Sequence, residues 1–337
     1  MNFTIVQILL REAIRMKYGT IPGISKPVSR IFYGTAAMPF FTGEDAHELF
    51  DAMYDLGITA YDTARVYQLS EKSLGKWMAL RNNRDKVVVL SKCGHPDPDG
   101  RKRVNEKDMR ADLRQSLEYL QTDYIDIYLL HRDDPEVPAG TIVEIFNAMH
   151  AEGKIGVFGG SNWTHQRIEE ANEYAYKNNL IPFTVSSPNY GLAEQVRDPW
   201  CGGCVSISGP SEKNARSWYA EHQMPVIAYS SLGRGMFSGR VKSTDRDHIG
   251  DLLDSFAVKG YVSDGNFERL RRCEILAERK GVSVSQIALA YIYAGSMNTF
   301  AIVSTRNPER MKANAAALDV ELTKDEVSWL DLERDSV

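Results

Sequence analysis

Cysteine is scarce in this chain: four in 337 residues do not make a disulfide framework, so a reducing cytoplasm is the simplest home. No apolar stretch approaches the ~20 residues needed to span a bilayer. The one N-terminal run, Ile5 to Leu10, is short, and its basic residues follow it, the wrong order for a secretory signal. Positive charge is not in excess. With a net charge of -5 the surface offers little to nucleic acid or an anionic membrane, so neither is expected as a partner. No Pro/Ser-rich linker, short-period repeat or charged tail is present, so one domain is expected over residues 16–337. Residues 1–15 are read as an N-terminal extension of undecided status, helical at most, with no function assigned. No G-x-G-x-x-G follows a strand-like run, so nothing points to a Rossmann domain.

What is present is a repeated unit. Apolar, strand-like runs end in a polar residue and are followed by helix-like segments. Gly57-Ile-Thr-Ala-Tyr-Asp62, Val87-Val-Val-Leu-Ser-Lys92 and Ile125-Asp-Ile-Tyr-Leu-Leu-His131 are three of them. Helical patterns run from Glu44 to Leu56, Ser70 to Arg81 and Lys107 to Leu120. A first buried strand is expected at Arg30 to Thr35, ending in the small residues Gly34 to Ala37. Further strands are read at Ile155–Ser161, Phe183–Ser187, Val226–Tyr229 and Ala301–Ser304, with helices over Thr164–Asn178 and Pro308–Leu318. Ile168, Ala171, Tyr174 and Ala175 share one helical face. About eight strands alternating with helices predict a parallel (β/α)8 TIM barrel, whose active site lies at the C-terminal strand ends. Residues 191–216 and 240–265 break the rhythm. They are read as a long loop and as a loop with a short helix, positions that shape substrate pockets in such barrels.

Four reactive side chains, Asp62, Tyr67, Lys92 and His131, stand at or just past these strand ends. Each alone has an ordinary reading. A strand-end aspartate is a turn residue or cap as often as not, a tyrosine packs, a lysine snorkels and a histidine hydrogen-bonds. Together they make a proton-transfer unit. A phenol with a pKa near ~10 is a weak acid at neutral pH, a nearby ammonium lowers that value, and a carboxylate holds the ammonium. A histidine at the same mouth orients a substrate oxygen. Carbonyl reduction or alcohol oxidation fits this set.

The stretch from Gly57 through Asp62 and Tyr67 to Gly75 resembles the signature of the aldo-keto reductase superfamily. So do Leu90-Ser-Lys92, Asp123 to His131, and Gly153-Lys-Ile-Gly156 leading to Gly160-Ser161-Asn162. The similarity runs from about Gly19 to Ala317. It implies a (β/α)8 barrel that binds a nicotinamide cofactor without a Rossmann domain. By position it makes Tyr67 the general acid, Lys92 the residue lowering its pKa, Asp62 the partner of Lys92, and His131 the group orienting the carbonyl. Ser161 and Asn162 match the pair that holds the nicotinamide carboxamide. Ser187 stands where many relatives place a glutamine.

Gly34, Thr35 and Ala36 would let the cofactor approach, with Asp62 beside them. Tyr229, Ser230, Ser231, Leu232, Arg234, Gly235 and Ser238 resemble the segment that stacks on the nicotinamide and folds over the pyrophosphate. Ser304, Thr305, Arg306, Arg310 and Asn314 resemble the adenosine end. Arg306 and Arg310 suit a 2′-phosphate, so NADPH is expected over NADH. Ala313 stands where a glutamate is common, and Ser304 where some relatives carry lysine. The substrate is a small carbonyl or alcohol, with Trp163 and Trp200 as candidate pocket residues and no metal. Cys201-Gly-Gly-Cys204 has metal-like spacing but no second ligand pair, and is read as two loop thiols. Cys93 is read as barrel packing. Two other functions are open: a cofactor-sensing regulatory subunit, and an alcohol or keto-sugar dehydrogenase with retained cofactor. Oligomeric state is open.

Overall fold

A computed structural model describes residues 16–200 and 202–337. Residues 1–15 and Cys201, with the expectations attached to them, lie outside the described residues. The chain opens with a two-stranded antiparallel hairpin, β1 (Tyr18–Gly19) and β2 (Val28–Ser29). Eight parallel strands then close on themselves: β3 (Ile31–Gly34), β4 (Ala60–Asp62), β5 (Val88–Cys93), β6 (Ile125–Leu130), β7 (Ile155–Ser161), β8 (Val185–Ser187), β9 (Val226–Ala228) and β10 (Thr299–Val303). Their order around the ring is that of the sequence, and β10 closes on β3. The fold is therefore the expected (β/α)8 barrel. Closure leaves no unpaired edge.

Two apolar cores follow from the alternation of side chains along each strand. Phe32, Ala60, Val88, Leu90, Ile127, Leu129, Ile227 and Phe300 point inward, and Ile21 and Val28 of the hairpin region join them to fill the barrel interior. Tyr33, Tyr61, Val89, Tyr128 and Phe158 point outward under the helices. Helices begin where a side chain satisfies a free backbone N–H. Asn105 caps the helix Glu106–Leu120, Thr164 caps His165–Lys177, and Ser283 forms a capping box with Gln286. The expected helix Ser70–Arg81 is present with those bounds. Residues 191–216 are not all loop, since a helix starts at Lys213, and 240–265 carries two short helices, Ile249–Leu252 and Ser255–Tyr261. The 191–209 segment is held to the barrel mouth by Asn189, whose N–H donates to Val205 O and whose carbonyl accepts from Ile207 N.

Gly159 shows how tightly β7 and β8 are matched. A Cβ there would lie 1.8 Å from the Val185 carbonyl oxygen, a backbone atom that cannot rotate away. Gly159→Ala is therefore expected to destabilise the protein by about 3 kcal/mol or more, or to prevent folding. Gly250→Ala, where nothing lies within 4 Å, is the control and should be near neutral. Urea denaturation of the two variants checks this; equal midpoints would contradict it. Among the described residues no helix is long and apolar enough to cross a membrane.

Candidate active site

The strands end on one rim, and that rim carries the polar residues. Gly34 ends β3, Asp62 ends β4, Lys92 lies near the end of β5, His131 follows β6, Ser161 ends β7 and Ser187 ends β8. Tyr229 to Leu232 follow β9, and Ser304 to Arg306 follow β10. All of these line one cavity of about 1060 Å³. That volume is at the upper end of the ~300–1000 Å³ usual for small-molecule sites.

At the base of the cavity Lys92 Nζ donates to Asp62 Oδ1 and, at 2.8 Å, to the Thr63 carbonyl. Both charged side chains are buried, each 3% exposed. A buried ion pair is stable only when its spare hydrogen-bonding capacity is met, and the Thr63 carbonyl contributes to that for Lys92. The Lys92 ammonium lies 5.0 Å from the centroid of the Tyr67 ring. Burial works against its charge, but Asp62 and Tyr67 together outweigh burial and hold it above the usual lysine value. Burial raises the Asp62 carboxyl by more than Lys92 pulls it down. The direct contact, with two acceptors on the ammonium, favours the charged pair.

Tyr67 sits in the turn after β4, half-buried, with its ring 5.6 Å edge-on from His131. Here the structure refines an expectation. Lys92 does pull the Tyr67 phenol down, and Arg132 adds to that, yet burial is the larger influence and the net shift is upward. Tyr67 is thus a protonated phenol at neutral pH. His131 is pushed well below the usual histidine value, by burial first and then by Lys92, His95 and Arg132. It is a neutral imidazole, and its Nδ1 is buried without a partner. A neutral ring can donate only one hydrogen bond. His131 is fixed through its own backbone, donating to Cys93 O at 2.7 Å and accepting from Asn162 Nδ2 at 3.1 Å.

Ser161, Asn162 and Ser187 reach the cavity wall but are bonded to one another and to the barrel. Ser161 Oγ donates to Ser187 O, Asn162 Nδ2 donates to Ser161 Oγ, and Ser187 Oγ donates to Ile227 O. Asn162 Oδ1 accepts from Tyr229 Oη at 2.7 Å and from Val205 N at 3.2 Å. Asn162, Ser230 and Arg234 have left-handed backbone angles, with φ of 61°, 52° and 52°. Such angles are uncommon for residues other than glycine, and here three line one cavity. Leu232, Gly235 and Ser238 line the wall beyond them. At the far end Arg306, Arg310 and Asn314 line the cavity, and Asn314 Oδ1 is buried without a partner. Neither arginine forms an ion pair among the described residues. Cationic forks without an ion-pair partner and an orphaned amide oxygen fit a phosphorylated, base-bearing ligand such as a dinucleotide.

Two expected contributors do not reach the cavity. Trp163 is fully buried, tilted against Phe183 at 5.1 Å, beneath the Arg167 guanidinium and against Gly160. It packs behind the strand ends instead of lining the pocket. Thr35 is also fully buried, its N–H and Oγ1 both donating to the Asp62 carbonyl, so it ties β3 to β4. Trp200 does line the cavity, and so does Ala36. The sequence reading missed His95, Arg132, Phe41, Asp254 and Phe256 on the same wall. His95 and Arg132 were signalled by position alone, three residues after Lys92 and one after His131. Cys204 is a free thiol and Cys93 a buried one packed in the barrel. Among the described residues no group of three or more His, Cys, Asp or Glu is placed to hold a metal.

The family model for aldo/keto reductases matches residues 30–332. The chain belongs to the aldo/keto reductase family. It is 31% identical to an aryl-alcohol dehydrogenase of Pestalotiopsis microspora, over 86% of this chain and 72% of that one. It is 27% identical to a putative aryl-alcohol dehydrogenase of Saccharomyces cerevisiae, over 86% and 76%. It is 29% identical to norsolorinic acid reductase B of Aspergillus parasiticus, over 86% and 74%. As an aldo/keto reductase the protein is an oxidoreductase, and these relatives bear both dehydrogenase and reductase names.

Proposed function

We propose that this aldo/keto reductase is an NADP(H)-dependent carbonyl reductase that converts an aldehyde or ketone, aryl in character, to its alcohol. The observation that carries the reading is the buried Lys92–Asp62 pair beneath a protonated Tyr67, beside a neutral His131, at the base of one large cavity. When bound, the reduced nicotinamide supplies two electrons and one hydrogen to the carbonyl carbon. Tyr67 would supply the proton to the carbonyl oxygen, so carbonyl plus hydride plus one proton gives the alcohol. Lys92 stabilises the tyrosinate left behind, and Asp62 holds Lys92 in place. His131, neutral, on the cavity wall and edge-on to Tyr67, would donate a ring N–H hydrogen bond that orients the oxygen.

Asn162, Ser161 and Ser187 would hold the carboxamide by exchanging hydrogen bonds they now make with each other. Tyr229 to Ser238 would cover the pyrophosphate, and Arg306, Arg310 and Asn314 the adenosine phosphate. The dehydrogenase names among the relatives favour a second reading, alcohol oxidation with Tyr67 as base. A Tyr67 pKa raised by burial favours reduction at neutral pH, because the base form is then scarce. Residues 16–337 are taken as the catalytic unit, acting in the cytoplasm on a small carbonyl.

The test is loss of NADPH absorbance with 4-nitrobenzaldehyde as a reactive general substrate, repeated with NADH. NADPH should be preferred. A charge-assisted contact contributes about 1.5–3 kcal/mol, so Arg306→Ala and Arg310→Ala should each weaken NADPH binding roughly 10- to 100-fold and NADH far less. Fluorescence titration of both nucleotides reads this directly. Equal losses for the two would contradict the 2′-phosphate assignment.

A further inference from the structure

Arg132 is a charged group of the cavity that the proton-transfer unit leaves unexplained. It follows His131 at the end of β6 and is only 8% exposed. A guanidinium has five N–H donors. Among the described residues Arg132 uses only Nη1, toward Cys204 Sγ at 3.1 Å and Gly203 O at 3.4 Å. Its Nε is buried with no partner. The carboxylates nearest in sequence are committed elsewhere: Asp133 pairs with Arg167 and Asp134 with Lys102. Asp198, in the adjoining loop, spends its oxygens on the N–H groups of Trp200 and Cys204 and forms no ion pair with Arg132. Asp62 is matched by Lys92, and Asp254 by Arg234. A buried cation without an anion is costly, and Arg132 lines the ligand cavity. The same guanidinium stands 5.7 Å from the Trp200 ring, with Arg234 5.5 Å from that ring, so the cation is framed by an aromatic wall.

We infer that Arg132 is a specificity-determining residue that selects carbonyl substrates carrying a carboxylate, aromatic ones foremost. The inference rests on the cavity being a carbonyl-reduction site and names the substrate class it takes. A carboxylate here accepts from the guanidinium N–H groups not spent on Gly203 and Cys204, and supplies the missing charge. The protein's overall charge of -5 gives no general attraction for such anions, so a preference has to come from the cations of the cavity, of which Arg132 is the one next to His131.

The experiment compares 2-, 3- and 4-carboxybenzaldehyde with the nitrobenzaldehydes substituted at the same ring position. Nitro and carboxylate groups have the same planar shape, but nitro is uncharged and activates the carbonyl more strongly, so intrinsic reactivity runs against the predicted order. Wild type is expected to show the higher kcat/KM for the carboxylate at one ring position at least. Arg132→Met should lower that carboxylate-to-nitro ratio by about tenfold or more, mainly through KM, and Arg132→Lys should recover part of it. Both substrates falling together in Arg132→Met, with the ratio unchanged, would show that Arg132 merely holds the Gly203–Cys204 loop. A wild-type preference for nitro at every position overturns the inference as well. Failure to reduce any of the six would count against the reductase reading instead. Arg132 is then judged by calorimetric titration of the protein with NADPH and each carboxybenzaldehyde, with and without Arg132→Met. Weaker binding in the variant supports the inference, and equal binding overturns it.

Discussion

Tyr67→Phe is expected to lower kcat for carbonyl reduction by about 10²- to 10⁴-fold while leaving NADPH affinity nearly unchanged. The substitution removes one oxygen from a half-buried ring packed edge-on to His131, so the cavity keeps its shape. What is lost is the phenol beside the Lys92 ammonium. The same assignment fixes the pH dependence. The active form is the protonated phenol, so activity is full below the Tyr67 pKa and falls as pH rises through it. Burial sets that pKa above the usual value of 10.0, and the fall should therefore begin on the alkaline side of an ordinary tyrosine. His131 is held well below 6.5, so no step is expected near neutral pH. A pH profile of kcat/KM, collected with a cofactor-stability control, reads both features. Comparable turnover in Tyr67→Phe, or a limb near pH 6.5, would contradict the assignment.

Lys92→Met should be damaging twice over. Without the ammonium, Asp62 is a buried carboxylate with no counter-ion, and breaking such a pair costs about 3–5 kcal/mol. The sign with pH follows from the Asp62 carboxyl, which burial already raises and which loses its one lowering partner. A group raised in the folded state contributes stability below its unfolded pKa and loses it as pH rises through the folded value. The variant should therefore be relatively more stable at mildly acidic than at neutral pH. Adding Asp62→Asn removes the stranded charge and should restore part of the stability without restoring activity. The activity of Lys92→Met should fall because Tyr67 loses the stronger of the two cations that lower its pKa, moving the alkaline limb further up. Thermal melts across pH and the pH–rate profile test the two halves separately. A melt independent of pH, or an unmoved alkaline limb, would count against the pair's assigned role.

The barrel and its reactive rim were legible because both follow from one pattern, an apolar run ending in a polar residue. Asp62, Lys92 and His131 stand at the ends of β4, β5 and β6 for that reason. Side-chain direction was not legible. Trp163 follows Asn162 at the rim, yet its ring turns behind the strand ends onto Phe183, and Thr35 turns to the Asp62 carbonyl. Arg132 and His95 carried no signal beyond adjacency to residues already chosen. The helices Ile249–Leu252 and Ser255–Tyr261 are too short for periodicity to declare itself. The protonation of Tyr67 depends on burial outweighing Lys92, a balance that only the packed structure contains.

The most direct test of carbonyl reduction at this site is a label transfer. Wild-type protein is incubated with 4-nitrobenzaldehyde and NADPH carrying deuterium on both positions of the nicotinamide C4, and the alcohol is analysed by mass spectrometry. The account predicts one deuterium on the carbinol carbon per NADPH consumed, and no labelled alcohol with Tyr67→Phe over the same period. Unlabelled alcohol, or NADPH bound with no alcohol formed, would contradict it.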